Sequence, residues 1–154
     1  MTSIEREFVS LVSATGQRNG AGFNTCQGLY HRPKGQVPKV AFIATHYNVD
    51  FSEHYLGDLM AARGLGFLGW NTRFRGNEPF FLLEHALIDI GAGVQWLKSE
   101  AGVEIVVLLG NSGGGSLMAA YQSQSAGVTM QPTPGMKIPQ ALHHLPSADI
   151  YVSL

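Results

Sequence analysis

The feature that most constrains this chain is an apolar run that passes directly into a serine flanked by glycines. Ile105–Leu109 is a run of branched apolar residues without polar alternation, which is typical of a strand buried on both faces of a parallel sheet. Gly110–Gly114 then matches the pattern G-x-S-x-G, and Ser116–Tyr121 predicts the start of a helix. A strand, a sharp turn and a helix in this order would raise the Ser112 hydroxyl clear of the sheet. They would also direct the Gly113 N–H outward from a helix N-terminus.

The glycines are explained by the shape of such a turn. A sharp strand-to-helix turn holds its central residue in a strained conformation and packs the flanking backbone too closely for side chains. G-x-S-x-G alone is a weak pattern, and a glycine-rich turn without chemistry is the plain alternative. A P-loop would have lysine where Ser116 stands, and a dinucleotide-binding fingerprint would need glycine at Met118 or Ser112. Neither nucleotide motif is matched.

In this strand–turn–helix context, the segment resembles the nucleophile elbow of the α/β-hydrolase superfamily. The resemblance implies an α/β fold with a mostly parallel sheet and helices on both faces, with Ser112 as the catalytic nucleophile. It also implies an oxyanion hole formed by the Gly113 N–H and an amide after the third strand, where His46-Tyr47-Asn48 stands. Tyr47 replaces the usual glycine, so Asn48 is the first candidate for that amide and Tyr47 the second. His46 is a candidate to line the site, and the alternative is a strand-end histidine that bonds the loop backbone.

The rest of the chain predicts strands that alternate with helices in a single partial α/β-hydrolase domain, 1–154. Antiparallel entry strands are expected in 1–33 and a βαβ core that contains the serine in 37–125. A loop is expected in 126–147 and a terminal strand in 148–154. Alternation of this kind implies right-handed crossovers and parallel strands.

Two helices are predicted before the serine. The first is expected to be capped by Ser52 and stopped by Gly64. Its predicted apolar stripe consists of Tyr55, Leu56, Leu59 and Met60. The second follows Pro79 and ends at Gly102, with a periodic apolar face made of Leu83, Leu87, Ile90, Val94 and Leu97.

The residues after the serine do not supply a catalytic triad in the order of the family, which is serine, then acid, then histidine. The only acid is Asp149, and the histidines, His143 and His144, come before it. Asp149 begins a predicted strand, away from the carboxyl ends where such sites lie, so a structural role is predicted for it. We expect the acid and the histidine to follow Leu154, which makes this chain a truncated and, by itself, inactive part of the fold.

Other polar residues suggest chemistry less strongly. Arg73 and Arg75 follow a predicted strand and are candidates to attract a carboxylate or phosphate of a substrate, with a solvated loop as the alternative. Arg73 is on this basis a second candidate to line the site. His85 and Asp89 are four residues apart on the second helix and are expected to form a surface pair rather than a metal site.

Composition argues against polyanionic partners. With a net charge of −1, the chain has no electrostatic case for nucleic acid or an anionic membrane. Cys26 is the only cysteine, so an internal disulfide and a CxxC metal site are both excluded. The polar N-terminus shows no signal peptide and no apolar run approaches the length of a membrane span, so a cytoplasmic location without cofactor or metal is expected.

Together these features predict a serine hydrolase that acts on carboxylic esters or related small acyl substrates. The alternative is a non-catalytic α/β-hydrolase-like binding or interaction protein. A sheet that stops at Ile150–Val152 would expose an apolar edge, so self-association through that edge is also expected.

Overall fold

The computed structural model describes residues 3–15 and 25–154, and within them six strands form one sheet. The strands are β1 (Ile4–Val12), β2 (Thr25–Pro33), β3 (Val40–Ala44), β4 (Gly66–Asn71), β5 (Ile105–Gly110) and β6 (Ile150–Ser153). The helices are α1 (Leu56–Ala61), α2 (Leu83–Ser99) and α3 (Gly114–Ser125). Two short 3₁₀ helices are present at Glu78–Phe80 and Gln140–His144.

The strand order across the sheet is β1-β2-β4-β3-β5-β6. β1 pairs with β2, and β2 with β4, in antiparallel fashion. β3 lies parallel to both β4 and β5, and β6 is parallel to β5. The predicted mostly parallel sheet is therefore confirmed. Because parallel strands end at the same edge, the segments that follow β3, β4 and β5 come together there.

Alternating side chains give the central strands two apolar faces. Ile43 and Leu108 lie in the larger core, which is covered by α2 and α3. The next residues along each strand, Ala44 and Leu109, lie on the opposite face, where Leu56 of α1 packs against them. Helices therefore cover both faces of the sheet, as predicted.

α2 is buried along its predicted apolar face. It begins at Leu83, because Leu82 has an extended conformation (φ −125°, ψ 119°), and Gly102 beyond its end has φ +70°. Burial of each leucine, isoleucine or valine side chain contributes about 1.5–3 kcal/mol, so packing holds this helix in place. The side chains of α2 without accessible surface include Leu87, Ile90, Val94 and Leu97.

In the described part of the chain no helix is long and apolar enough to cross a membrane.

α1 is shorter than predicted, and the predicted cap is wrong. The helix begins at Leu56, and Tyr55 at its N-cap makes no side-chain capping hydrogen bond. Ser52 instead turns back on Asp50: its N–H donates to Asp50 Oδ1 at 2.9 Å, and its hydroxyl contacts the same oxygen. This local Asx turn competes with the capping role. The predicted stop at Gly64 is confirmed, since its φ is +84°.

Only half of the apolar stripe predicted for α1 packs against the sheet. Leu56 and Met60 pack on the sheet, whereas Tyr55 and Leu59 are 64% and 49% exposed. The helix faces the sheet through its small residues, and a methyl group on Gly57 would lie 2.8 Å from the His31 ring. Close approach of the helix backbone therefore replaces the expected leucine and tyrosine contacts.

Candidate active site

Ser112 lies in the turn between the carboxyl end of β5 and the start of α3. It is exposed, and its φ of +53° is the one left-handed backbone conformation of a non-glycine residue in the described ranges. Such a conformation costs an L-residue roughly 1–2 kcal/mol and persists only where the surrounding structure fixes it. The predicted strand, sharp turn and helix are all present around this serine.

The backbone of this serine turn (Gly110–Gly114) is close-packed. A methyl group on Gly110 would lie 2.8 Å from Gly115 Cα. A methyl group on Gly114 would overlap the carbonyl oxygen of Thr45, which follows β3. The serine turn is therefore shaped by contact with the end of the neighbouring strand as well as by its own glycines.

Gly114→Ala is expected to destabilise the protein by about 1–3 kcal/mol, because the added methyl group meets a backbone oxygen that cannot move alone. Gly115→Ala is the matched control. The nearest atom to its added methyl group is Ser153 Oγ at 3.8 Å, and alanine is the better helix former by up to about 1 kcal/mol. Urea unfolding of both variants makes the comparison. Equal stability of the two would contradict the close packing described above.

The segment after β3 packs directly on the serine turn. The His46 ring stacks on Tyr47 with 4.5 Å between centroids and lies 5.3 Å from the ring of Phe51. A methyl group on Gly113 would overlap the Tyr47 ring and lie 2.7 Å from His46 Nε2. His46 is only 8% exposed, and burial lowers the pKa of its imidazole, so the ring is neutral near pH 7.

The predicted oxyanion donors differ in their hydrogen bonding. The Gly113 N–H, at the N-terminus of α3, has no acceptor among the described residues. The Tyr47 N–H likewise finds none in the described ranges. In contrast, the Asn48 N–H donates to Nδ1 of His46 at 3.2 Å. The amides of Gly113 and Tyr47 are thus free to bind another group, and that of Asn48 is engaged within its own loop.

The described residues place no hydrogen-bond partner on the Ser112 hydroxyl. His143 and His144 are exposed in the 3₁₀ helix that ends with them. Asp149 precedes β6, at the opposite end of the sheet from the serine turn, and its carboxylate accepts the Val106 N–H at 2.8 Å. Asp149 also lies 3.5 Å from Lys98 Nζ. Its predicted structural role is confirmed.

Arg73 is buried and has internal partners, so the prediction that it attracts a substrate anion is wrong. Its side chain is 2% exposed and faces the Asp89 carboxylate, which is 0% exposed. Its Nε donates to Asp89 Oδ2 at 2.9 Å and its Nη2 to Asp89 Oδ1 at 2.6 Å. Further donors reach the Ser13 hydroxyl and, at 3.1 Å, the Thr15 carbonyl. Every guanidinium nitrogen is therefore bonded.

The other polar residues near Arg73 divide between surface and core. Arg75 fits the solvated-loop alternative, since it is 40% exposed and its Nη1 donates to Glu78 Oε1 at 2.7 Å. The predicted surface pair of His85 and Asp89 is wrong: these residues are 6% and 0% exposed. His85 Nδ1 lies 3.0 Å from the Thr15 hydroxyl, so the histidine belongs to the same internal cluster.

The strand order, the helices on both faces and the turn after β5 define an α/β-hydrolase-like fold. No protein-family model matches the chain, and no curated protein matches it. Among solved structures it is similar to brefeldin A esterase, a bacterial homologue of human hormone-sensitive lipase. The TM-score is 0.63 at 19% identity, covering 82% of this chain and 36% of that one.

Two further esterases show the same likeness. Est22 matches with a TM-score of 0.60 and 18% identity, over 80% of this chain and 39% of its own. Bacterial heroin esterase matches with a TM-score of 0.56 and 15% identity, over 80% of this chain and 40% of its own. At these identities the likeness shows the fold alone. The chain spans well under half the length of each of these three proteins.

Proposed function

We propose that this chain supplies the nucleophile of a serine hydrolase that acts on carboxylic esters or related acyl substrates. The observation that carries the proposal is Ser112, an exposed serine at φ +53° between a buried parallel strand and a helix. In this fold a strained serine at the carboxyl edge of the sheet is the expected position of a nucleophile. The similar solved structures are named as esterases, which supports the same class of reaction.

In the proposed reaction, Ser112 Oγ bonds to the ester carbonyl carbon while its proton passes to a base. The negative charge that forms on the carbonyl oxygen is stabilised by the Gly113 N–H and by a second N–H from the segment after β3. Tyr47 suits this second position better than Asn48, because the Asn48 N–H is bonded to His46. Each such donor typically lowers the barrier by about 3 kcal/mol. The base then protonates the leaving alcohol, and water hydrolyses the acyl-serine.

The base and the acid that orients it are proposed to follow Leu154. No described side chain bonds the Ser112 hydroxyl, and the similar esterases are more than twice as long as the matched part. Serine, imidazole and carboxylate suffice for ester hydrolysis, so the proposed reaction needs no cofactor. A cytoplasmic location is part of the proposal, as is self-association through the β6 edge, where Ile150 and Val152 are 46% and 37% exposed.

A non-catalytic binding or interaction protein is the second candidate. The observation that favours it is the same unpartnered hydroxyl, since a serine without a base is a poor nucleophile. A protein of this kind would keep the fold and the free amides of the serine turn while lacking an acid–histidine pair anywhere in its sequence.

An esterase assay distinguishes the serine hydrolase from the binding protein. It measures hydrolysis of p-nitrophenyl acetate and butyrate by the complete product of the gene that encodes this chain. The serine hydrolase is expected to release p-nitrophenol catalytically, with saturation in substrate. The 154-residue chain alone serves as a control and is expected to be inactive. A folded complete product that shows no turnover with either ester would favour the binding protein.

A further inference from the structure

His46 is a mostly buried residue whose ring N–H has no partner among the described residues, next to the serine turn. As a residue, His46 is 8% exposed and therefore more than nine-tenths buried. Its Nδ1 accepts the Asn48 N–H at 3.2 Å, so Nδ1 holds a lone pair and, in the neutral ring, Nε2 holds the proton. Within the described residues Nε2 has no hydrogen-bond acceptor.

The position of His46 Nε2 suggests its acceptor. His46 Nε2 lies 2.7 Å from the position that a Cβ atom on Gly113 would occupy. The ring nitrogen is therefore beside Gly113, whose free N–H is the first proposed oxyanion donor. Stacking on Tyr47, at 4.5 Å between centroids, and contact with Phe51 hold the ring in this orientation. A preorganised donor of this kind requires no rearrangement when charge develops nearby.

We propose that the His46 Nε2–H is a further hydrogen-bond donor to the carbonyl oxygen of the acyl substrate and to the oxyanion formed from it. This inference rests on the proposed function and adds a side-chain donor to the two backbone amides. His46 acts as a donor only. It keeps its proton throughout, and the proton of Ser112 passes to the base that follows Leu154. With Nδ1 bonded and Nε2 protonated, His46 itself has no free lone pair with which to serve as that base.

Two substitutions separate donation from simple support of the loop. In His46→Asn the side-chain oxygen takes the place of Nδ1 as acceptor for the Asn48 N–H, but no donor remains at the Nε2 position. In His46→Gln the amide NH₂ group reaches about the Nε2 position, while the acceptor at Nδ1 is lost. If His46 acts as a donor, the glutamine variant is expected to be the more active of the two. If His46 only holds the loop in place, the asparagine variant is expected to be the more active.

The test measures kcat and KM of the complete gene product with p-nitrophenyl butyrate. We expect His46→Asn to lower kcat by roughly 10²–10³-fold with little change in KM, which is the usual loss for one oxyanion donor, and His46→Gln to recover most of that loss. Activity that depends on Ser112 but is unaffected by His46→Asn would overturn the role of His46 alone. Wild-type protein without Ser112-dependent activity would instead overturn the proposed function, and the role of His46 with it.

A second measurement needs no activity and also uses the complete gene product. The ¹⁵N chemical shifts of the His46 ring at pH 7.5 identify its tautomer, and we expect the proton on Nε2. The shifts of a variant without His46, such as His46→Gln, assign the signals. A ring protonated on Nδ1 would overturn the inference whatever the kinetics show, because Nε2 would then have no proton to donate.

Discussion

In the complete gene product, Ser112→Gly is expected to abolish ester hydrolysis and at the same time to make the protein more stable. Loss of a serine nucleophile lowers kcat by roughly 10⁴–10⁶-fold in serine hydrolases. Stability should rise because Ser112 has φ +53°, a conformation that costs an L-residue roughly 1–2 kcal/mol and glycine almost nothing. The greater freedom of glycine in the unfolded chain offsets about 0.5–1 kcal/mol of this gain. The net increase in the free energy of unfolding is thus at most about 1.5 kcal/mol.

Ser112→Ala is the matched control for this prediction. It removes the same hydroxyl, so the same loss of activity is expected, but it keeps a Cβ at a left-handed position and therefore keeps the strain. Urea unfolding of the three proteins should rank the glycine variant above both the wild type and the alanine variant. A glycine variant less stable than the alanine variant would show that Ser112 is not strained. Full activity in either variant would exclude this serine as the nucleophile.

Arg73→Met is expected to destabilise the protein by about 3–5 kcal/mol, because it leaves the Asp89 carboxylate buried without its partner. Asp89 is 0% exposed, and both of its carboxylate oxygens accept hydrogen bonds from Arg73. The environment is dry: burial raises the pKa of the nearby Cys26 thiol, and the charge of Asp89 raises it further, while the charge of Arg73 acts in the opposite direction. Thermal or urea unfolding of the variant measures the loss.

Arg75→Met provides the comparison, since Arg75 is two residues away and also pairs with a carboxylate. Its side chain is 40% exposed and that of its partner Glu78 is 30% exposed, so a loss of only about 0–1 kcal/mol is expected. In the double variant Arg73→Met/Asp89→Leu the unpaired charge is removed, and stability should recover part of the way towards wild type. Similar effects of Arg73→Met and Arg75→Met would contradict the buried pair.

The sequence around Ser112 was sufficient to predict the structure there because all the relevant signals are contiguous. The apolar run of β5, the glycines of the serine turn and the start of α3 follow one another without interruption, so local backbone preferences decide the outcome. α2 was predictable for a similar reason: its apolar spacing persists over several turns. For α1 the signal was ambiguous, since Ser52 could either cap a helix or bond Asp50, and the shorter-range contact with Asp50 is the one formed.

The errors concern contacts between distant parts of the chain. Nothing near Arg73 in the sequence distinguishes it from Arg75, yet Arg73 bonds Ser13, 60 residues away, and only one of the two arginines enters the core. His85 and Asp89 have the spacing of a surface pair. In the fold, however, Asp89 bonds Ser13 and His85 bonds Thr15, and both of these partners are distant in the sequence. The contact of His46 with Gly113 could be anticipated only in outline, because parallel strands bring the ends of β3 and β5 to one edge without fixing which ring atom faces the turn.

Covalent labelling tests most directly whether Ser112 is the nucleophile. A fluorophosphonate is incubated with the folded complete gene product, and the modified residue is located by peptide mass spectrometry. One adduct is expected, on Ser112, and it should be lost in Ser112→Ala. Ser116 is an internal control, because it is exposed in the same peptide region and its hydroxyl donates to the Gly113 carbonyl at 3.0 Å. Absence of an adduct on Ser112 in the folded protein, or equal labelling of Ser116, would contradict the assignment of Ser112 as the nucleophile.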